Sequence, residues 1–194
     1  MMDDTKIQQP EVLQAILRDS EQAGFKMASE PQTGALLRAL AATKPGGRFL
    51  ELGTGTGVGT AWILDGMDAS SQLDTVDKNA EWQKIAQRNL ASDLRVKFHE
   101  EDATAFLERA PQPYDFIFGD AWAGKFEGLD LALRLLRPGG IYIADDLLPQ
   151  QSWPEGHGTK IPGFLEALET RSGFVSVKLA WSSGLLIAVR KSGQ

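Results

Sequence analysis

The chain has 194 residues, room for one domain with a sizeable core and too few for two ordinary ones. Apolar residues make up 42% and charged residues 24%, and the net charge of -6 argues against broad binding to nucleic acid or to an anionic membrane. With no cysteine, disulfides, thiolate metal sites and cysteine nucleophiles are all excluded.

The opening "MMDDTKIQQP" is acidic and polar, unlike a signal peptide, and no apolar run approaches membrane-spanning length, so a cytoplasmic protein is expected. Two helical patterns follow. "PEVLQAILRDSEQAG" puts Val12, Leu13, Ile16 and Leu17 on one face, between Pro10 and Gly24. "SEPQTGALLRALAATKPGG" carries the stripe Leu36, Leu37 and Leu40 and is stopped by Pro45-Gly46-Gly47.

From Arg48 strand and helix patterns alternate. "RFLEL" leads through glycines to a helix from about Val58. "QLDTVD" leads to "NAEWQKIAQRNLA", where Asn79 can cap and Trp82, Ile85, Ala86 and Leu90 face inward. "RVKFHE" precedes the short helix "ATAFLERA", and "YDFIFGD" precedes "FEGLDLALRLLR", ended by Pro138-Gly139-Gly140 before the strand "GIYIAD". After the irregular stretch "LLPQQSWPEGHGTKIPG" comes a helix "GFLEALETRSG". Two strand runs then follow, "FVSVKLAW" and "GLLIAVRK", separated only by "SS", too short a gap for a parallel crossover. This pattern predicts an α/β fold, a doubly wound Rossmann-like seven-stranded sheet with a C-terminal antiparallel hairpin and helices on both faces. Residues 1–194 form a single domain in this reading, with N-terminal helices over 1–45 and the core over 46–194.

In such a sheet, ligands bind outside the C-terminal strand ends. There "RFLELGTGTGVGTAW" places an acid in an apolar run and then glycine at every second position, Gly53, Gly55, Gly57 and Gly59. A dinucleotide fingerprint needs its third glycine three residues after the second; starting from Gly53 that position is Val58, and from Gly55 it is Thr60. The pattern Glu51-Leu-Gly53-Thr54-Gly55-Thr-Gly57 instead resembles the first motif of class I S-adenosylmethionine-dependent methyltransferases. That cofactor carries an ammonium and a sulfonium and no phosphate, so a carboxylate at the strand end suits it. The resemblance implies that Glu51 serves the ammonium, through water. Asp77, with Lys78 beside it, would serve the ribose hydroxyls, while Asp102 and the Ala103 N–H would serve the adenine. Asp102 is equally a natural N-cap for the helix after it.

The segment "ASEPQTGALLRALAATKPGGRFLELGTGTGVGTAWIL" is similar to the catechol and caffeoyl-CoA O-methyltransferase-like group. Many members hold a divalent cation, usually magnesium, and the corresponding residues here are Asp120 in "FIFGDAW" and Asp145-Asp146 in "IYIADDLLP". Two departures stand out. Asp146 replaces an asparagine, and Ala123 stands where the group carries a lysine, the nearest being Lys125. Candidate catalytic groups are therefore Asp120, Lys125 and His157, with Lys160 as a further base candidate and Trp122 and Trp153 as walls for an aromatic acceptor. The resemblance implies methyl transfer to a small-molecule acceptor, most often at oxygen, and a weak homodimer. Two alternatives stay open: a polyamine-synthase-like aminopropyl transferase, in which the acids face a cationic amine, and a cofactor-binding module without catalysis.

Overall fold

A computed structural model describes residues 3–110 and 112–193. The elements follow one another as α1 (Leu13–Gln22), α2 (Pro31–Ala41), β1 (Arg48–Leu52), α3 (Val58–Gly66), β2 (Gln72–Asp77), α4 (Ala80–Leu90) and β3 (Val96–Glu100). Then come α5 (Ala103–Arg109), β4 (Tyr114–Gly119), α6 (Leu129–Arg134), β5 (Leu136–Ala144), α7 (His157–Glu169), β6 (Phe174–Leu179) and β7 (Leu185–Arg190). The sheet runs β3-β2-β1-β4-β5-β7-β6, with β1 to β5 parallel and β7 antiparallel to both its neighbours. Strand order reverses between β1 and β4, which opens a crevice at their C-terminal ends.

Two apolar layers cover the sheet. One joins Leu13 and Ile16 of α1, Leu37 of α2 and Trp62 and Ile63 of α3 to Phe49, Phe116, Phe118 and Ile143. The other joins Phe106 and Leu107 of α5, Leu133 of α6 and Phe164 of α7 to Leu50, Leu52, Ile117 and Tyr142. On β1 the alternation of strand side chains sends Phe49 and Leu50 to opposite layers. The N-terminal helices share the first layer with the sheet. Among the described residues no helix is long and apolar enough to cross a membrane.

Several local expectations are corrected. On α2 only Leu37 of the expected leucine stripe is fully buried, with Gly34 and Thr33 beside it. The helix lies so close to α3 that a Cβ on Gly34 would fall 2.2 Å from Trp62 Nε1. On α4 Gln83 is buried while Trp82 is only half-buried. Strand β5 begins at Leu136, ahead of Pro138, because the Tyr114 N–H already bonds to Leu135 O (2.6 Å) before a register shift. Helix α7 starts at His157 and carries Pro162 inside it, so the irregular stretch before it is shorter than the sequence suggests. The connection between β6 and β7 is residues 180–184, longer than the expected pair of serines, and it turns through Ser182 (φ 55°) and Gly184 (φ 84°).

Candidate active site

A cavity of about 540 Å³ opens at the crevice between β1 and β4. Gly53, Thr54, Gly55, Asp77, Lys78, Asp102, Ala103 and Asp120 all line it, so eight residues singled out in the sequence meet there. The glycine turn is built by left-handed backbone that side chains rarely tolerate. Gly53 (φ 104°) lets β1 and β4 close on each other, since a Cβ would sit 2.6 Å from Asp120 O. Gly57 (φ 95°) faces α4, where a Cβ would meet that of Ala86 at 2.8 Å; it is a packing residue, outside the cavity lining.

Asp77 fixes the turn. One carboxylate oxygen accepts the Gly55 N–H (2.8 Å) and the other the Asn79 N–H (2.8 Å). Asn79 in turn caps α4 through the Glu81 and Trp82 N–H groups. Asp102 caps α5, its Oδ1 accepting from Thr104 (2.9 Å) and Ala105 (3.1 Å), so the capping role and the cavity position coexist in one side chain.

Glu51 lies just outside that lining, 1% exposed beneath the turn. Its Oε2 accepts hydroxyl hydrogen bonds from Thr60 (2.5 Å) and Thr75 (2.6 Å), while Oε1 is buried without a partner. A polar chain continues from it. Gln83 Nε2 donates to Thr54 Oγ1 (3.1 Å), and the Thr54 and Thr75 hydroxyls lie 2.7 Å apart, so every donor can point toward Glu51. Burial raises the Glu51 carboxyl to about 7, against the two hydroxyls that favour its charged form.

At the end of β4, Asp120 lines the cavity and accepts from Ser29 Oγ at 3.3 Å. Burial, and then the negative charges of Asp145 and Asp146, push its carboxyl well above the usual range. Asp145 is raised to about 7, also chiefly by burial; its Oδ1 accepts from the Ser183 hydroxyl and from the Asp146 N–H (2.7 Å). Lys125 is 2% exposed and donates from Nζ to the Asp145 carbonyl (2.7 Å). Asp120, Asp145 and Asp146 are not assembled as a three-ligand cluster: among the described residues no group of three or more acidic or histidine side chains is placed to hold a metal. A buried ammonium shares their surroundings instead.

His157 is buried at the start of α7, with both ring nitrogens committed. Trp122 Nε1 donates to Nδ1 (3.2 Å), and Nε2 faces the Asp146 carbonyl (3.0 Å), which fixes the proton on Nε2. Trp153 stacks on its ring at 4.7 Å and burial lowers its pKa. Neither His157 nor Lys125 lines the cavity. Trp122 does, with Lys160 Nζ 5.0 Å from the centre of its ring. No sequence pattern pointed to Phe25, Met27 and Ser29, which line the cavity from the segment between α1 and α2, or to the Phe25–Trp82 ring pair (5.2 Å) on its wall.

A glycine turn after β1, an acid closing β2 and an antiparallel β7 beside β5 together define a class I methyltransferase. Residues 50–147 match the family described as a methyltransferase domain. A protein of Mycobacteroides abscessus assigned to the O-methyltransferases is 30% identical over 171 residues, covering 82% of this chain and 80% of its own. A similarly assigned protein of Mycolicibacterium vanbaalenii is 35% identical over 122 residues, 60% of this chain and 54% of that one. The crystal structure of an O-methyltransferase from Bacillus cereus with S-adenosylhomocysteine superposes with a TM-score of 0.83 at 23% identity, over 97% of this chain and 94% of that one. This chain belongs to that family, the class I S-adenosylmethionine-dependent methyltransferases of the O-methyltransferase group.

Proposed function

We propose that the cavity takes S-adenosylmethionine along the glycine turn and a small hydroxylated acceptor beside Asp120, and that Asp120 is the base of the transfer. The observation that carries this reading is the placement of Asp120, which lines the same cavity as the glycine turn, Asp77 and Asp102. The cofactor supplies an electrophilic methyl group: as the acceptor oxygen bonds to its carbon, the carbon–sulfur bond breaks and S-adenosylhomocysteine leaves.

Asp77 suits the ribose hydroxyls because backbone N–H groups already hold both its oxygens in place. Asp102 and the Ala103 N–H suit the adenine edge, and Lys78 lines the same cavity. Glu51 acts from below the turn, through its buried Oε1 and the threonine chain. Asp120 takes the hydroxyl proton, and its raised pKa brings its basicity closer to that of the group it deprotonates. Ser29 and Trp122 border the place where a flat acceptor would sit.

Lys125 supplies positive charge behind Asp120 and Asp145, and this reading routes no step through magnesium. The same ammonium disfavours the aminopropyl-transfer alternative, which would bring a second cation to these acids.

The test is transfer of labelled methyl groups from S-adenosylmethionine to a panel of phenols, catechols and aliphatic alcohols. With an acceptor in hand, Asp120→Asn is expected to lower kcat roughly 10²- to 10⁴-fold and to change cofactor affinity little. Unchanged kcat in that variant removes Asp120 as the base. Label appearing on amines alone removes the oxygen acceptor.

A further inference from the structure

A second cavity, of about 450 Å³, lies at the opposite end of the sheet from the glycine turn. It forms where α6 ends at Arg134, where residues 171–173 lead from α7 into β6, and where β7 ends at Arg190 and Lys191. Four cations line it, Arg134, Arg171, Arg190 and Lys191, and no acidic residue does, in a chain whose net charge is -6. We propose that this cleft is a binding site for a small phosphorylated anion.

The cations are partly fixed in place. Arg190 Nη1 donates to Leu136 O (2.5 Å) and more weakly to Arg134 O (3.4 Å), so its guanidinium is held against the β5 start with further N–H groups left for a ligand. Arg171 is oriented by an ion pair with Asp130. Among the described residues no carboxylate lies within ion-pair distance of Arg134, Arg190 or Lys191, so three of the four charges lack a counter-charge there. The wall between them is tied down, with the Lys191 N–H on Gly173 O at 2.8 Å. A Cβ on Gly173 would meet nothing within 4 Å, so the turn borders open space.

Several guanidinium forks lining one cleft match the several oxygens of a phosphoryl group better than the two of a carboxylate. The half-buried ring of Phe174 adds an apolar wall for the organic part of a ligand. A long polyanion such as nucleic acid would have to run past a surface of net negative charge, which favours a compact ligand held within the cleft.

Inorganic pyrophosphate is the probe, titrated by calorimetry against the whole chain at constant ionic strength set with sodium chloride. Saturable binding is expected, and saturating pyrophosphate should leave the affinity for S-adenosylmethionine unchanged. Arg134→Gln with Lys191→Gln is the main variant, since both side chains are exposed and make no internal hydrogen bond among the described residues. It should keep the native circular dichroism and bind pyrophosphate at least tenfold more weakly. Arg190→Gln should weaken binding as well. The proposal is overturned by the absence of saturable heat, by an unchanged Kd in the double variant, or by competition between pyrophosphate and the cofactor. Tighter binding of single-stranded DNA or of anionic lipid vesicles than of pyrophosphate would also overturn it.

Discussion

Glu51 Oε1 occupies the space that a side chain at residue 59 would need: a Cβ built on Gly59 would lie 2.5 Å from that oxygen and 3.2 Å from the Phe118 ring. The fourth glycine of the alternating series thus makes room for the protein's own carboxylate, inside the first turn of α3. Gly59→Ala is expected to cost about 1–3 kcal/mol in urea denaturation, because neither Glu51 nor the β4 core can move aside freely. Gly163→Ala, in α7 with nothing within 4 Å, should instead stabilise by about 0.5–1 kcal/mol. Equal effects of the two would show that the contact at Gly59 is unimportant.

Protonation of Glu51 should be visible in stability. Its folded-state pKa, about 7, lies above the ordinary 4.5, so the folded chain binds a proton that the unfolded chain releases. Stability from this group is therefore fully present below pH 4.5 and is lost as pH rises through about 7; burial of Asp120 and Asp145 acts in the same direction. The full span for Glu51 is on the order of 3 kcal/mol. Melting curves of the ligand-free chain should show a decline from pH 5 to pH 8, smaller in Glu51→Gln. An identical decline in that variant would assign the effect elsewhere.

Asp77 both braces the turn and faces the cavity. Asp77→Ala should weaken cofactor binding by about 1–3 kcal/mol, the loss expected when a charged acceptor disappears. Calorimetry with S-adenosylhomocysteine measures this directly. Asp77→Asn, which keeps one acceptor for the Gly55 N–H, should lose less, and a reversed order would separate the ribose role from the bracing one.

Lys125 is expected to be a structural cation. Lys125→Met should destabilise by roughly 3 kcal/mol, the scale for removing one member of a buried charged group. Magnesium at millimolar concentration should leave the melting temperature of the unmodified chain where a salt control puts it, since Lys125 already supplies a positive charge beside Asp120 and Asp145. A specific upward shift with magnesium would mean that Asp120, Asp145 and Asp146 rearrange around the ion.

What the sequence made legible was set by local rules. Strand and helix periodicity gave the order of elements, and the glycine spacing separated this turn from a dinucleotide site. The acids ending β2 and beginning α5 were readable because their positions follow from the connectivity. Phe25, Met27 and Ser29 were not, since the segment between α1 and α2 has no periodicity and gains its meaning only by crossing the cavity. His157 read as a loop residue because Pro162 and its flanking glycines obscured a helix that starts five residues ahead of that proline. Burial of Lys125 depends on how residues 120–128 fold back on the Trp122 carbonyl, which accepts three backbone N–H groups, and no spacing rule reports that.

The placement of β7 bears on how the chain can assemble as it is made. This strand, Leu185–Arg190, is synthesised after β6 and yet lies between β5 and β6. The parallel strands β1 to β5 can pair as they leave the ribosome in order, but β6 has no sheet to join until β7 has followed it. Until then the β5 edge, Ile141 to Ala144, stands open, and that bare edge is the place where a half-made chain is most exposed to pairing with another copy of itself.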